Sequence, residues 1–447
     1  FIGMDIQNFS ALFNTPARRE AFLKLIKDNK TKHIFIQGLE GSSIALFFSN
    51  LLEHKQAHIL IANDLDEAGY LYNDLVQINS NDHILLFPSG YKRDIKYGQP
   101  DPPSEILRTE VLNRLCQKGE SLLIVTYPEA IAEKVVPVNM LSEQTLHIDK
   151  NSKCDIITLS DKLRERGFEE VDYVYEPGQF AVRGSILDVF SYTNELPYRI
   201  DFFGKEVESI RTFEVETQLS TGKLEEVYIV ANVCGQEASG ISILDFIDKN
   251  TILICHNLSW VIDRISTIAS ESLSEQTLIA EEGDRYAMQK IIDVTAFQKK
   301  ITTFRRIDYG ANSEANTPAV IRFNCAPQGV YHKNFDLVSQ SFSQFIEKGY
   351  TLYILSDSEK QIERLQAIFE ERGDSISFTP VLKTLHEGFV DNDLKIGCFT
   401  DHQIFDRFHK YTLKSEHARS GKLALSLKEL NQIEVGDYIV HVDHGIG

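Results

Sequence analysis

The 447-residue sequence lacks several features that would indicate a particular kind of partner or compartment. It has no long run of lysine or arginine, and 46 basic against 65 acidic residues give a formal charge of −19. Because this balance repels nucleic-acid phosphates, a nucleic-acid role would require a local basic groove. No apolar stretch is long enough to span a bilayer, and a signal peptide is not evident. We therefore expect a cytoplasmic protein without a membrane partner.

Paired cysteines are also absent. The six cysteines are scattered and form no C-x-x-C pair, so the sequence indicates neither a zinc site nor a disulfide framework. We expect reduced thiols and no metal site. The length predicts two to four domains, and the proportions of hydrophobic (43%) and charged (25%) residues are typical of globular proteins.

Alternating strand and helix patterns fill the first part of the chain. Short apolar strands are predicted at residues 33–37, 58–62, 84–87 and 122–125, with helical spacing between them. Such alternation predicts βαβ units and a parallel sheet. Residues 251–255 predict another strand that returns to the same sheet.

The predicted fold class is α/β, with a change of character near residue 145. We predict a parallel-sheet, P-loop-like domain of the helicase type with degenerate motifs, a small β-rich α+β insertion, and a smaller α/β domain. A helix is expected at 160–166 within the insertion. The predicted boundaries are 1–144 and 223–317 for the two parts of the first domain, 145–222 for the insertion, 318–415 for the smaller domain, 416–432 for a linker and 433–447 for the start of another domain. Because the last segment is an alternating strand without a partner, we expect a chain cut from a longer protein.

A glycine-containing turn follows the first predicted strand. A working phosphate loop reads G-x-x-x-x-G-K-[ST] between a strand and a helix, and its lysine and hydroxyl bind phosphate and Mg²⁺. Here the corresponding positions are Gly38, Gly41, Ser43, Ile44 and Ala45. Ser43 replaces the last glycine, Ile44 the lysine and Ala45 the hydroxyl residue. The sequence therefore predicts a phosphate loop without phosphate or metal binding; a plain turn between strand and helix is the alternative.

The acidic pair that normally holds Mg²⁺ in such sheets is missing as well. The strand at 251–255 is followed by His256 and Asn257, which form a degenerate Walker B position. Cys255 and His256 do not suggest a nucleophile pair, because neighbours on a strand point to opposite faces. We expect no catalytic residues, no bound cofactor and no ATP hydrolysis by this chain.

Two segments carry a family resemblance. The sequence YEPGQFAVRGSILDVF at 175–190, continued by ELPYRIDFFG at 195–204, resembles the insertion shared by UvrB and the bacterial transcription-repair coupling factors, the Mfd family. The run ELPYR and the pattern at 433–447 favour the coupling factors. The region between Phe87 and Ser104 is too short for the long aromatic hairpin with which UvrB grips damaged DNA.

The resemblance implies a non-catalytic N-terminal module that recruits UvrA to stalled RNA polymerase in nucleotide excision repair. It implies contact with RNA polymerase through the domain that begins at 433. DNA contact, ATP and Mg²⁺ would belong to motor domains outside this sequence. The alternative is a UvrB-like, DNA-binding ATPase.

The resemblance also assigns contact with UvrA to Arg183, Arg199 and Phe203. A guanidinium group offers a planar fork of donors to a carboxylate, and an exposed aromatic beside arginines is typical of an interface hot spot. The alternative is that the arginines pair internally with acidic residues of the same segment, namely Asp188, Asp201 or Glu206. In that case Phe203 lies in the core, because strand alternation turns either Phe202 or Phe203 inward.

Overall fold

The computed structural model describes residues 3–79, 82–90, 101–117, 119–150, 152–194, 196–233, 240–278, 291–311, 317, 319–409, 411, 440–441 and 445–446. The chain divides into two compact units. The first comprises Phe1–Gln99, Val111–Pro137 and Gln236–Leu413, and the second comprises Pro100–Glu110, Val138–Gly235 and Lys414–Gly447. The predicted linker at 416–432, and most of the predicted further domain at 433–447, lie outside the described residues.

The helices follow one another along the chain as α1 (Ile6–Phe13), α2 (Pro16–Lys27), α3 (Ser43–Phe48), α4 (Leu65–Asn79), α5 (Pro102–Cys116), α6 (Pro128–Ile131), α7 (Val138–Glu143), α8 (Ile156–Glu165), α9 (Ile243–Phe246), α10 (Leu258–Leu278), α11 (Val294–Ile301), α12 (Phe335–Glu347), α13 (Glu359–Glu371) and α14 (Asp401–Ile404). None of those in the described part of the chain is both long and apolar enough to cross a bilayer.

The strands are β1 (His33–Gln37), β2 (Ala57–Ile61), β3 (Ile84–Leu86), β4 (Leu122–Thr126), β5 (Thr145–Asp149), β6 (Glu169–Glu170), β7 (Gln179–Arg183), β8 (Ile186–Val189), β9 (Tyr198–Phe203), β10 (Glu206–Phe213), β11 (Ser220–Leu224), β12 (Glu226–Val230), β13 (Ile252–Cys255), β14 (Arg305–Gly310), β15 (Ala319–Arg322), β16 (Cys325–Pro327), β17 (Thr351–Leu355), β18 (Thr379–Val381), β19 (Phe389–Asp391), β20 (Ile396–Thr400), β21 (Val440–His441) and β22 (Gly445–Ile446).

A seven-stranded parallel sheet forms the core of the first unit, in the order β15-β1-β14-β13-β2-β4-β3. Strands β4 and β13 are buried throughout, as expected for a parallel sheet covered on both faces. The predicted α/β class is therefore confirmed, and β13 returns to the first sheet as predicted. The same order brings the turn after β1 and the end of β13 to one edge of the sheet, on either side of β14.

Local signals explain where the helices of this unit begin. Thr15 caps α2 by accepting the Arg18 N–H at 3.4 Å, and Pro16 occupies the first helical position. Asp64 accepts the Glu67 N–H at 2.9 Å at the start of α4.

A second sheet of five strands, in the order β16-β19-β20-β17-β18, belongs to the same unit. Helices α12 and α13 pack on it through a core that includes Phe342, Phe369 and Phe399. Residues 319–322, which the predicted boundary at 318 assigned to this smaller domain, instead form β15 and pair with β1 of the first sheet.

The second unit is built on a six-stranded sheet in the order β11-β10-β9-β8-β7-β6. Helix α8 packs on its inner face around Phe180, Leu187 and Ile200. The helix begins at Ile156, not at Ser160 as predicted, because Asp155 caps it by accepting the Thr158 N–H at 2.7 Å. Strand β12, beyond the predicted boundary at 222, pairs with β5 and adds Val227 and Ile229 to the same core.

Candidate adaptor surface and degenerate phosphate loop

A buried carboxylate organises the predicted contact residues of the second unit. The Asp188 side chain on β8 is only 1% exposed. Arg199, opposite it on β9, donates from Nε to Oδ1 at 2.8 Å and from Nη2 to Oδ2 at 2.9 Å. Arg183, at the end of β7, also pairs with Oδ2. Two cations therefore share one buried anion, and each arginine has the internal partner that the alternative interpretation expected.

The Arg199 side chain is held in place by contacts within the second unit. Its side chain is 13% exposed, its Nη1 donates to the Gln218 carbonyl at 3.0 Å, and its guanidinium lies 4.4 Å from the centre of the Phe213 ring. Hydrogen bonding to Asp188 raises the pKa of Arg199. Arg199 therefore supports the outer face of the sheet and offers few free donors to a partner.

Arg183 and Phe203 are the accessible members of the predicted set. The Arg183 guanidinium is partly exposed and lies 5.0 Å from the centre of the Tyr173 ring, which is itself exposed. Phe203 is 78% exposed, whereas Phe202 is 4% exposed and belongs to the core. Strand alternation thus turns Phe203 to the same outer face as Asp188 and Arg199.

The strand register places Arg183 and Phe203 toward the same end of the sheet. Arg183 is paired with Ile186 across the β7–β8 turn, and Ile186 is paired with Asp201, two residues before Phe203. We call Tyr173, Arg183, Arg199 and Phe203 the adaptor face. Sequence reasoning missed Tyr173; its signal was an aromatic residue just before the β7 segment, with no place in the core pattern. Asp201 does not join the Asp188 cluster but pairs with Arg211.

The turn after β1, predicted to be a degenerate phosphate loop, is covered by another segment of the protein. Gly38 and Gly41 have positive φ angles of 84° and 53°. A loop at residues 384–388, which we call the plug loop, lies directly against the turn. The Ser42 N–H donates to the Glu387 carbonyl at 3.0 Å, and the Glu387 N–H donates back to Ser42 Oγ at 3.0 Å.

A buried acid on α4 holds the turn and the plug loop together. Asp74 accepts the Ser42 hydroxyl at 2.5 Å and the His386 N–H at 2.8 Å. Burial raises the pKa of Asp74 to about 7. A Cβ atom placed on Gly41 would lie only 2.7 Å from the Gly388 carbonyl oxygen. The space over the turn is therefore occupied by main-chain atoms of the plug loop.

The substituted positions of the loop serve packing. Ser43 is fully buried, and its Oγ accepts the Glu40 N–H at 2.9 Å and donates to the Glu40 carbonyl at 2.6 Å. Ala45 is also buried. Glu387 adds a carboxyl group whose pKa is raised by burial and by Glu40. The turn thus offers neither the lysine nor the hydroxyl that phosphate and metal binding require.

His256 and Asn257 have structural contacts of their own. The His256 ring stacks on Tyr309 with centroids 4.9 Å apart, and its Nδ1 lies 3.4 Å from Glu67, which raises the His256 pKa. Asn257 accepts the Trp260 N–H at 3.0 Å at the start of α10. Burial raises the pKa of the Cys255 thiol, which disfavours a nucleophile there. Within the described ranges, no group of three His, Cys, Asp or Glu side chains is placed to hold a metal ion.

Comparison with known proteins gives one match to a single domain and several matches to nearly the whole chain. The sequence model described as the UvrB interaction domain matches residues 146–233, which run from β5 to beyond β12. The transcription-repair-coupling factor of Staphylococcus aureus strain MRSA252 is 23% identical over an alignment 487 positions long, which covers 92% of this chain and 41% of that protein. The corresponding factor of Staphylococcus epidermidis is 22% identical, with 93% and 42% covered.

The chain thus spans about two fifths of the length of the curated relatives that it matches. The resemblance expected from the sequence is confirmed: the chain is similar to transcription-repair coupling factors over nearly its whole length, and residues 146–233 of its second unit match the model of the UvrB interaction domain.

Proposed function

We propose that this chain is a non-catalytic module of a transcription-repair coupling factor and that it recruits UvrA through the adaptor face. The observation that carries the proposal is the match to the UvrB interaction domain on a sheet whose outer face presents both the exposed Phe203 and a preorganised arginine cluster. RNA polymerase, and the DNA on which a motor would act, would be bound through parts of a longer protein.

The physical chemistry of the adaptor face supports this role. Asp188 fixes both guanidinium groups before any partner arrives, so little side-chain entropy remains to be lost on binding. Arg183 keeps donors on its outer edge for a partner carboxylate. Phe203 supplies a large exposed apolar surface on the same face of the sheet, and aromatic and arginine side chains are enriched at the energetic centres of interfaces.

Replacing Phe203 with alanine tests the recruiting role. We expect the affinity for UvrA to fall at least about 30-fold, equivalent to about 2 kcal/mol or more, because the side chain would lose a buried contact in the complex. The free energy of unfolding should change by less than about 0.5 kcal/mol, since the ring is exposed in the free chain. Immobilised chain and purified UvrA in a surface-binding assay give the affinity.

The matched control is Ile157→Ala. Ile157 is 70% exposed and lies on α8, the helix that covers the inner face of the sheet. We expect this variant to bind UvrA normally. Equal affinities of the two variants would contradict the adaptor face as the docking surface.

The filled phosphate loop supports the non-catalytic part of the proposal. We expect no phosphate release from ATP above the protein-free background, with or without Mg²⁺. An Ile44→Lys and Ala45→Ser double variant should also remain inactive, because the plug loop still covers the turn and no carboxylate follows β13. Turnover by either protein would favour the UvrB-like ATPase instead.

A further inference from the structure

The amino ends of the parallel strands carry a basic cluster that contrasts with the net charge of −19. Residues 18–32 contain six basic and two acidic side chains. Lys24 and Lys27 lie on the exposed side of α2, and Lys30 and Lys32 lie in the turn that leads to β1. We call these four exposed lysines the basic edge. None of the four has an ion-pair partner in the part of the chain that the structure describes.

Arg305, the first residue of β14, fixes the shape of this edge. Its guanidinium donates to the carbonyls of Ile26 at 2.8 Å and Thr31 at 3.1 Å, and to that of Asp28 at 3.2 Å. These carbonyls belong to the end of α2 and to the turn after it, where main-chain acceptors lack helical partners. The turn that carries Lys30 and Lys32 is therefore held in one conformation.

The acidic groups nearby are mostly engaged. Asp28 accepts the Lys30 N–H and the Thr31 hydroxyl, each at 3.1 Å, and Glu53 pairs with Arg19 at 3.4 Å. Glu20 is exposed on α2 and partly offsets the cluster. The pKa of His54 is lowered first by burial and then by Arg305 and Lys27, which agrees with a positive potential at this edge.

We propose that the basic edge binds the sugar–phosphate backbone of a nucleic-acid duplex without reading its sequence. It lies at the opposite end of the strands from the filled phosphate loop, so the two surfaces are separate. A protein partner fits less well, because lysine is depleted in protein interfaces and the four positions include no aromatic or apolar anchor. Flexible exposed ammonium groups instead suit phosphate contacts, which supply most non-specific affinity.

Binding of a fluorescein-labelled 20-base-pair DNA, followed by anisotropy between 50 and 200 mM salt, tests this proposal. Four phosphate contacts predict a slope of about −3.6 for log affinity against log salt concentration, so that affinity falls about 100-fold over this range. The Lys27→Glu and Lys30→Glu double variant should bind about tenfold or more weakly at 50 mM salt, with a slope less steep by about 2.

The control is Lys162→Glu with Lys360→Glu, which changes the net charge equally. Lys162 lies in the last turn of α8, as Lys27 does in α2, and both control lysines are exposed. We expect the control to retain binding. Equal loss in both variants, or no salt-dependent binding by the unmodified chain, would overturn the proposal. The thermal midpoint of each variant shows whether a loss reflects misfolding.

Discussion

Replacing Asp188 with alanine should lower the free energy of unfolding of the second unit by about 3–5 kcal/mol. The change would leave Arg199 largely buried without its carboxylate, and removal of one partner from a buried ion pair carries a cost of this size. Arg183 would lose the same partner. The cost is greater than the net contribution of the pair, because an unpaired buried charge must be accommodated.

Two spectroscopic signals separate the units in this experiment. Trp260 is the only tryptophan of the sequence and lies in the first unit, so its fluorescence follows that unit alone. Far-UV circular dichroism follows both units. In urea we expect the Asp188→Ala variant to show an earlier dichroism transition and an unchanged fluorescence transition.

A surface pair in the same unit provides the control for Asp188. Asp161 and Arg164 form an ion pair at 2.6 Å in which both side chains are about half exposed. The Asp161→Ala substitution should lower the free energy of unfolding by only about 0–1 kcal/mol, as is usual for solvent-exposed pairs. If the Asp188 variant lost no more than this, the arginines would not depend on their shared carboxylate.

Replacing Gly41 with alanine should destabilise the first unit by about 3 kcal/mol. The left-handed backbone at φ 53° costs an alanine about 1–2 kcal/mol, and its Cβ would also press on the Gly388 carbonyl at 2.7 Å. Since the turn and the plug loop are tied by four hydrogen bonds through Ser42 and Asp74, neither can withdraw freely. The urea transition of Trp260 fluorescence measures the effect.

Gly373→Ala separates the backbone penalty from the contact with the plug loop. Gly373 belongs to the same unit and has a φ of 73°, but a Cβ placed there would meet no heavy atom within 4 Å. We expect about half the destabilisation of the Gly41 variant or less. Equal losses would mean that the plug loop moves aside without cost.

The regular architecture could be predicted because its signals are local. The strand at 122–125 is a continuous apolar run and the strand at 33–37 has an apolar centre, and both lie in a covered parallel sheet. The sequence limited the inward-facing residue to Phe202 or Phe203 but could not decide between the two. Alternation requires that one of the two adjacent phenylalanines face inward, and the register set by Tyr198 and Ile200 chooses Phe202.

At the candidate sites, the sequence predicted what individual residues can do but not which distant residues they contact. Missing chemistry at Ile44 and Ala45 could be inferred directly, because a lysine and a hydroxyl are required there. The plug loop could not be predicted, because its hydrogen bonds connect parts of the chain that are far apart in sequence. The His386 bond to Asp74 spans 312 positions, and the Glu387 bond to Ser42 spans 345. The shared use of Asp188 by two arginines likewise depends on strand pairing that the sequence does not display.

The occupied turn after β1 bears on whether the first unit can respond to ATP and ADP. In nucleotide-driven proteins, a gap between two lobes opens and closes as the triphosphate is bound and spent. Here hydrogen bonds of Ser42 and Asp74 already join the turn to the plug loop, so no triphosphate is needed to hold them together. We therefore expect the junction between the two sheets of the first unit to keep the same geometry at any ratio of ATP to ADP.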